Sequence, residues 1–222
     1  KEAEYASLQA QTNPHFLYNT LDTICWQAKL AGNDAIFDTT YSLASLLRAS
    51  MGNTDPYITV SQELSYIRDY IQIQKARFRD KIQANIAVEP ALMPVMIPKL
   101  ILQPIVENAI RYGSNCAPPW NISITSVVTK GSWQIEVTDS GPGFTKERIT
   151  ANIMKAIQNP GLPELKINGL GTINVYLRWK IFCKGDIIFR YGNTAEGHGI
   201  VSIGRYFSKT DKSANEADCI SE

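Results

Sequence analysis

Apolar side chains recur in alternating steps of four and three residues through the first part of the chain. They are Leu17, Leu21, Ile24, Ala28, Ala31 and Ala35. This spacing is typical of a helix that packs along one face. It predicts a helix over residues 3–31, and Gly32 is expected to end it because glycine suits the left-handed position after a helix.

A second helix is predicted over residues 35–51, with Asn33 or Asp34 as its cap. Its helically spaced positions are Phe37, Tyr41, Ala44, Leu47 and the polar Arg48. An antiparallel hairpin of these two helices is expected to bring Arg48 back near residue 15. Because two helices bury little surface by themselves, we predict a four-helix bundle formed with a second copy of the chain.

The period of the pattern changes in the remainder of the chain. Residues 52–56 are rich in turn formers and mark the predicted domain boundary. A third helix is predicted over residues 59–80, opened by a Thr59/Gln62 capping box, with one apolar face. That face contains Leu64, Ile67, Ile71 and Phe78.

Beyond residue 80 the period falls towards two, as in strands. The predicted strands cover residues 82–88, 121–129, 133–138, 186–191 and 200–203, with a hairpin at Lys130-Gly131. Helices are predicted at residues 98–112, 146–157 and 172–182. Together the patterns predict an α+β protein: a helical hairpin at residues 1–53, then a domain at residues 54–208 with a mixed sheet covered by helices. Residues 209–222 are polar and are expected to be a disordered tail.

Composition narrows the function classes. Of the 222 residues, 44% are hydrophobic and 19% are charged, with a net charge of +1. No basic field of the kind that holds nucleic acid is therefore expected. Four cysteines stand singly at positions 25, 116, 183 and 219, which indicates reduced thiols rather than a disulfide framework or a zinc site. The sequence has neither an apolar run long enough for a membrane span nor a signal peptide.

His15 is the first residue with candidate chemistry. It follows Pro14 and falls beside the apolar stripe on the solvent side, so an exposed, reactive imidazole is expected. Asn19, one helical turn later, is placed to orient that imidazole by a hydrogen bond. The alternative is a surface histidine beside a helix-starting proline.

Three segments of the second domain also have residues suited to chemistry. In residues 102–113, Asn108 offers an oxygen to Mg²⁺ and Arg111 a cation to phosphate, with Tyr112 beside them. Asp139-Ser140-Gly141-Pro142-Gly143-Phe144 follows a strand, where a carboxylate can accept from an adenine amino group and glycines allow close approach. Gly169-Leu170-Gly171-Thr172 opens a helix whose N–H groups suit phosphate. Read singly, these segments also fit an amphipathic helix, a turn and a loop.

These motifs, in this order after Asn13-Pro14-His15-Phe16-Leu17-Tyr18-Asn19, resemble two-component sensor histidine kinases of the YesM/LytS type. Glu63, Tyr70, Gln74 and Arg77-Phe78 fit the same family pattern. The resemblance implies a dimerisation and phosphoacceptor bundle followed by a Bergerat-type ATP-binding domain. The two dozen residues between the second and third segments would form a lid over the nucleotide.

The resemblance assigns phosphoacceptance to His15, Mg²⁺ coordination to Asn108 and adenine recognition to Asp139. Arg111, Tyr112, Gly141, Gly143, Gly169, Gly171 and Thr172 would complete the nucleotide site. ATP and Mg²⁺ would be the cofactors, and a homodimer and a response-regulator receiver domain the partners. The chain would be the cytoplasmic portion of a bacterial membrane sensor whose spans lie upstream.

The chain departs from the family pattern at several positions. Phe16 stands where many histidine kinases have an acid that can take the proton of the histidine, so the base is not identified. Thr172 replaces a common leucine, and Gly199-Ile200 lacks a hydroxyl that supports the adenine-binding aspartate in relatives. Two alternatives follow: a non-catalytic dimeric scaffold with a decayed nucleotide site, or an ATPase or serine kinase of the same nucleotide-binding fold.

Overall fold

The computed structural model describes residues 14–51, 55–145, 170–184 and 187–207. The chain divides into two compact units, one comprising Lys1–Asp55 with Leu64–Arg79 and the other Pro56–Glu63 with Asp80–Glu222. Most of the third helix is thus grouped with the hairpin, whereas the sequence places it in the second domain. The predicted helix at residues 146–157, the start of the first helix and the polar tail lie outside the described residues.

The hairpin is formed by helix α1, Pro14–Leu30, and helix α2, Asp34–Met51. Gly32 has a φ of +65°, and the Asn33 N–H donates to the Ala28 carbonyl at 2.9 Å. The Asn33 side-chain oxygen then accepts from the Ile36 N–H at 3.1 Å. The predicted glycine end and asparagine cap are both confirmed.

The packed stripe of the hairpin differs from the predicted one. Ile24 and Tyr41 were expected inside, but their side chains are 39% and 57% exposed within one chain. Ala28 and Ala44 are buried as predicted, and the other buried positions also have small side chains: Cys25, Thr40, Ser42 and Ala49. Small side chains let neighbouring helices approach closely, so the seam moves from Ile24 to Cys25 and leaves the larger apolar groups at the surface.

Helix α3, Val60–Phe78, begins with the predicted capping box. The Thr59 N–H donates to Gln62 Oε1 at 3.0 Å, and the Gln62 N–H donates to Thr59 Oγ1 at 3.2 Å. Leu64, Ile67 and Ile71 are buried as predicted. A short 3₁₀ turn, Arg79–Lys81, follows α3.

The second unit is built on a five-stranded mixed sheet, which confirms the α+β prediction. Its strands are β2 (Ile82–Ala87), β4 (Trp120–Val128), β5 (Ser132–Asp139), β6 (Ile187–Asn193) and β7 (Gly199–Tyr206). They lie in the order β2-β4-β5-β7-β6, with β2 parallel to β4 and the other pairs antiparallel. The β4–β5 connection is the predicted hairpin.

Two helices pack against this sheet: α4, Gln103–Gly113, and α5, Leu170–Cys183. The Trp179 ring of α5 meets Trp133 edge-on at 5.9 Å between centroids, and its N–H donates to the Gly204 carbonyl at 2.8 Å. Alternate residues of the strands, including Ile124, Ile135 and Ile203, are buried. The sheet core is therefore apolar, and these two helices stand next to it.

The segment before α4 corrects the predicted helix at residues 98–112. Met96–Pro98 is a strand, β3, which pairs antiparallel with β1, Tyr57–Thr59, in a two-stranded sheet that the sequence did not predict. Leu100 has a φ of +54°, outside the right-handed helical region, so the helix cannot begin before this residue. No helix in the described part of the chain is long and apolar enough to cross a membrane.

Candidate functional site

His15 lies in the first turns of α1 and is exposed, as predicted. Its Nδ1 lies 3.2 Å from Nδ2 of Asn19, which is the contact expected from their spacing of one helical turn. An amide can present either its NH₂ or its oxygen to this nitrogen, and the tautomer of the imidazole follows from that choice. Asn19 is therefore placed to favour one tautomer of His15.

Arg48 returns along the hairpin to the turns that follow His15. Its Nη2 lies 2.6 Å from the Asp22 carboxylate, and its guanidinium lies 5.8 Å from the centroid of the Tyr18 ring. The Tyr18 hydroxyl donates to the Leu47 carbonyl at 3.4 Å. These contacts place the two helices in register beside the candidate phosphoacceptor.

Three predicted residues share one end of α4. Arg111 Nη2 donates to Asn108 Oδ1 at 2.6 Å, and its guanidinium lies 5.0 Å from the centroid of the Tyr112 ring. Glu107 is turned elsewhere, since its Oε1 accepts from Gln103 Nε2 at 2.9 Å. The helix thus presents an amide oxygen, a cation and an aromatic ring side by side.

The loop after β5 meets the end of α4 without room for a side chain. The Gly141 N–H donates to Asp139 Oδ1 at 2.7 Å. A Cβ on Gly141 would lie 2.6 Å from that oxygen and 3.1 Å from the Tyr112 carbonyl oxygen, and one on Gly199 would lie 2.7 Å from Asp139 Oδ2. Three predicted site residues, Tyr112, Asp139 and Gly141, are therefore brought together, and Gly199 lies against the same carboxyl group.

Burial raises the pKa of the Asp139 carboxyl above its usual value. The Gly141 N–H and the nearby His198 act in the opposite direction and favour the carboxylate. The carboxyl thus lies in a desolvated place yet keeps a fixed hydrogen bond on one oxygen. Such a group is suited to accept from a ligand donor that replaces the lost water.

The β6–β7 hairpin holds the loop that follows β5. These contacts were not predicted from the sequence. Asn193 Oδ1 accepts from the Phe144 N–H at 2.7 Å, and Asn193 Nδ2 donates to the Phe144 carbonyl at 3.0 Å. His198 Nδ1 lies 3.0 Å from the Gly141 carbonyl, which can only accept, so this nitrogen has the proton. The sequence signal was the polar, glycine-rich stretch at residues 192–199, which by itself indicates only a loop.

Part of the predicted site lies outside the described residues. Gly169 and the predicted lid belong to the undescribed segment 146–169, and Gly171 and Thr172 are described only as backbone in the first turn of α5. A cavity of about 440 Å³ next to β2, β4 and the β6–β7 hairpin is lined in part by Asp139, Ser140 and His198, and it has no α4 residue in its wall.

The N-terminal part of the chain matches a known family. Residues 3–82 match the family described as histidine kinase. The chain is 40% identical over 145 residues to the sensor histidine kinase YesM of Bacillus subtilis, covering 65% of this chain and 25% of that protein. It is 30% identical over 199 residues to the sensor protein LytS of Oceanobacillus iheyensis, covering 89% of this chain and 33% of LytS.

Two further proteins are similar over a smaller part of this chain or at lower sequence identity. The sensor histidine kinase BtsS of Escherichia coli K12 is 37% identical over 114 residues, covering 51% of this chain and 20% of that protein. The catalytic domain of histidine kinase ThkA superposes with a TM-score of 0.47 at 16% identity, covering 68% of this chain and 94% of that domain. The chain spans a third or less of the length of these curated relatives. Over this span, the chain belongs to the sensor histidine kinases of the YesM/LytS type.

Proposed function

We propose that this chain transfers the γ-phosphoryl group of ATP to His15 and then to an aspartate of a response-regulator receiver domain. The observation that carries the proposal is the exposed imidazole of His15 with Asn19 at its Nδ1, inside the stretch that matches the histidine kinase family. An acceptor that must meet both a nucleotide and a second protein has to be reachable from solvent, and His15 is.

Asn19 supplies the orientation that the reaction needs. The step uses the Asn19 amide turned over from the orientation in which Nδ2 faces His15 Nδ1. Oδ1 then accepts the Nδ1 proton of His15, and the lone pair of the neutral ring lies on Nε2. Nε2 then bonds to the γ-phosphorus while the bond from phosphorus to the β–γ bridging oxygen breaks, its electrons leaving with ADP. The Nδ1 proton is held by Asn19 during attack and passes to water afterwards.

The nucleotide would be held by the second unit. Asp139 would accept from the adenine amino group, Gly141 and Gly143 would line the pocket, and Arg111 would meet phosphate. Phosphates would also meet the backbone at the start of α5, where the predicted Gly169, Gly171 and Thr172 occur in the sequence. This assignment is supported by the convergence of Tyr112, Asp139 and Gly141.

Asn108 fits a magnesium ion that arrives with the nucleotide. Its Oδ1 is a neutral oxygen that now accepts from Arg111. Within the described ranges no group of three or more His, Cys, Asp or Glu side chains is placed to hold a metal ion, so the phosphates would provide most of its ligands. When bound, Mg²⁺ would neutralise phosphate charge during transfer.

A homodimer is proposed from the surface of the hairpin. Several large apolar side chains are exposed on α1 and α2, including Phe16, Trp26, Leu30, Ile36 and Leu43. A second hairpin would bury such groups in a four-helix bundle. The receiver domain would then approach His15 from the remaining free face of the bundle.

The decisive experiment is incubation of the chain with ATP labelled in the γ-phosphate. A phosphoramidate on His15 should be lost in acid and survive alkali, the reverse of a phosphoserine ester. His15→Ala should abolish the label and leave ATP affinity unchanged, since the nucleotide residues lie in the other unit. His198→Ala removes the other histidine of the chain. This variant should still be labelled, with less label that remains labile in acid.

The alternatives give different results. Label that is stable in acid, or that persists in His15→Ala, would favour a serine kinase. Turnover of ATP without any protein label would favour an ATPase. A folded chain that fails to bind ATP would indicate the scaffold.

A further inference from the structure

A buried carboxylate lies where α3 begins and the turn before α4 passes over it. Glu63 is fully buried, and its carboxylate accepts from the N–H groups of Leu100, Leu102 and Gln103 at 2.7, 2.8 and 3.2 Å. The Ile101 N–H also bonds to it. One side chain thus satisfies four consecutive backbone donors of the turn.

The same turn is held through its carbonyl groups by a cation from a third element. Arg178 of α5 donates through Nη1 to the Leu100 carbonyl at 3.3 Å and through Nη2 to the Lys99 carbonyl. Leu100 adopts a φ of +54°, a conformation that a leucine rarely takes and that surrounding contacts must hold in place. Glu63 therefore holds the turn through its N–H groups and Arg178 through its carbonyl groups; we call this pair of contacts the grip.

The turn held by Glu63 and Arg178 leads directly into α4 and fixes where this helix begins. The residue that precedes the helix, Leu102, offers no side-chain cap, so Glu63 supplies the cap from a distant part of the sequence. A negative charge at a helix N-terminus is also favoured by the helix dipole. Asn108, Arg111 and Tyr112 project from this helix, so the grip sets where they stand.

Packing alone does not require these two residues. Burial raises the pKa of the Glu63 carboxyl group, and the hydrogen bonds from the four N–H donors act in the opposite direction. An apolar side chain would fill the same volume without the cost of burying a carboxyl group. What it would not do is fix the backbone of residues 99–102 in one geometry.

We propose that Glu63 and Arg178 are positioning residues for nucleotide binding: gripping the turn at residues 99–102, they hold α4 where Asn108, Arg111 and Tyr112 can meet the phosphates and adenine of ATP. This proposal rests on the proposed function of α4. Neither residue touches the nucleotide, and each acts through the backbone of the turn.

The proposal is tested with Glu63→Gln and Arg178→Met in the whole chain. The glutamine removes the charge and turns an NH₂ group towards backbone donors, and the methionine leaves two carbonyl groups without their donor. Each variant should weaken ATP binding about tenfold in calorimetry, as expected when hydrogen bonds to a charged group are lost. In the labelling reaction the KM for ATP should rise while kcat stays within about twofold, because α4 sets binding rather than transfer.

Conservative and control variants separate positioning from general damage. Arg178→Lys keeps a cationic donor for the carbonyl groups and should recover most of the affinity that Arg178→Met loses. Glu89→Gln and Arg190→Met change an exposed glutamate and an exposed arginine of the same unit and should bind ATP normally. The Glu63→Gln/Arg178→Met double variant should lose little more ATP affinity than the single variant with the lower affinity, since both substitutions act on one turn.

Opposite outcomes would overturn the inference. Folded variants with unchanged affinity and KM, or a fall in kcat at constant KM, would show that the grip does not position the nucleotide helix. If Glu63→Gln does not fold, the Arg178→Met and Arg178→Lys pair decides. If the unaltered chain binds no ATP, the proposed function fails; amide exchange at Gln103, Ile105 and Val106 then tests the grip, and unchanged exchange in both variants would overturn it.

Discussion

The proposed phosphoacceptor region and the proposed nucleotide region of this chain are built in opposite ways. His15 stands on an exposed helix face with the side chain of Asn19 beside it. Asp139 is desolvated, and Gly141 and Gly199 lie so close to its carboxyl group that neither position has room for a Cβ. The difference fits the proposed roles: His15 would have to meet both a nucleotide and a second protein, whereas Asp139 would have to discriminate a ligand.

The two regions should therefore respond differently to substitution. Backbone changes in the second unit should disturb folding and ATP binding together. Side-chain changes around His15 should alter the rate of transfer and leave the fold and ATP binding intact. The following variants test this contrast, in order of decreasing effect.

Gly143→Ala should cause the largest loss. Gly143 has a φ of +72°, and a Cβ there would lie 2.3 Å from the Gly197 carbonyl oxygen and 2.6 Å from Asn193 Oδ1. We expect the free energy of unfolding to fall by about 2 kcal/mol or more and ATP binding to become undetectable. Gly131→Ala, where a Cβ meets nothing within 4 Å, is the control and should melt like the parent chain. Equal melting temperatures for both variants would show that the loop tolerates movement.

Asp139→Asn should weaken ATP binding with the fold intact. The amide keeps the shape of the carboxyl group but can turn a donor towards the adenine amino group, at a cost of about 1–3 kcal/mol. The affinity for ATP should fall roughly tenfold or more in calorimetry, and the affinity for GTP should not fall equally. Asp80→Asn, at an exposed position, is the control. Unchanged ATP affinity in Asp139→Asn would contradict the assigned pocket.

Asn19→Ala should slow labelling of His15 without altering ATP affinity. One orienting hydrogen bond is worth about 1 kcal/mol, so the initial rate should fall about fivefold. Asn19→Asp is the informative partner, because a carboxylate only accepts and selects the tautomer with a lone pair on Nε2. Labelling retained in Asn19→Asp supports the role of Oδ1, and a rate as low as in Asn19→Ala shows that the NH₂ group is the one that acts.

The smallest effect should be a pH-dependent gain in stability in Asp139→Asn. Because burial raises the pKa of Asp139, the folded chain holds the proton more tightly than the unfolded chain does. The stability that this group contributes is complete below the unfolded pKa of about 4 and is lost as the pH rises through the folded pKa. Asparagine stays neutral, so the variant should melt a few degrees higher at pH 7, with the gap closing towards pH 4. A gap that widens in acid would contradict the burial of this carboxyl group.

Much of the fold followed from local patterns. The glycine end at Gly32, the capping box at Thr59 and Gln62 and the β4–β5 hairpin each involve residues a few positions apart, and each is present as predicted. The five strands of the main sheet were predicted within two residues at each end, apart from the longer extent of β7, whereas β1 and β3 were not predicted. Where the local pattern was ambiguous, the prediction was partly wrong: the helix predicted over residues 98–112 begins only at Gln103.

The sequence by itself determined which residue types are available for chemistry: the helical spacing of His15 and Asn19, and the aspartate followed by two glycines after a strand. Only the tertiary structure decided what holds them. Glu63 meets Leu102 across 39 residues, Phe144 meets Asn193 across 49, and Gly141 meets His198 across 57. Periodicity reports on neighbours within a turn or a pleat, whereas these hydrogen bonds form only after the chain has folded back on itself, so no local pattern encodes them.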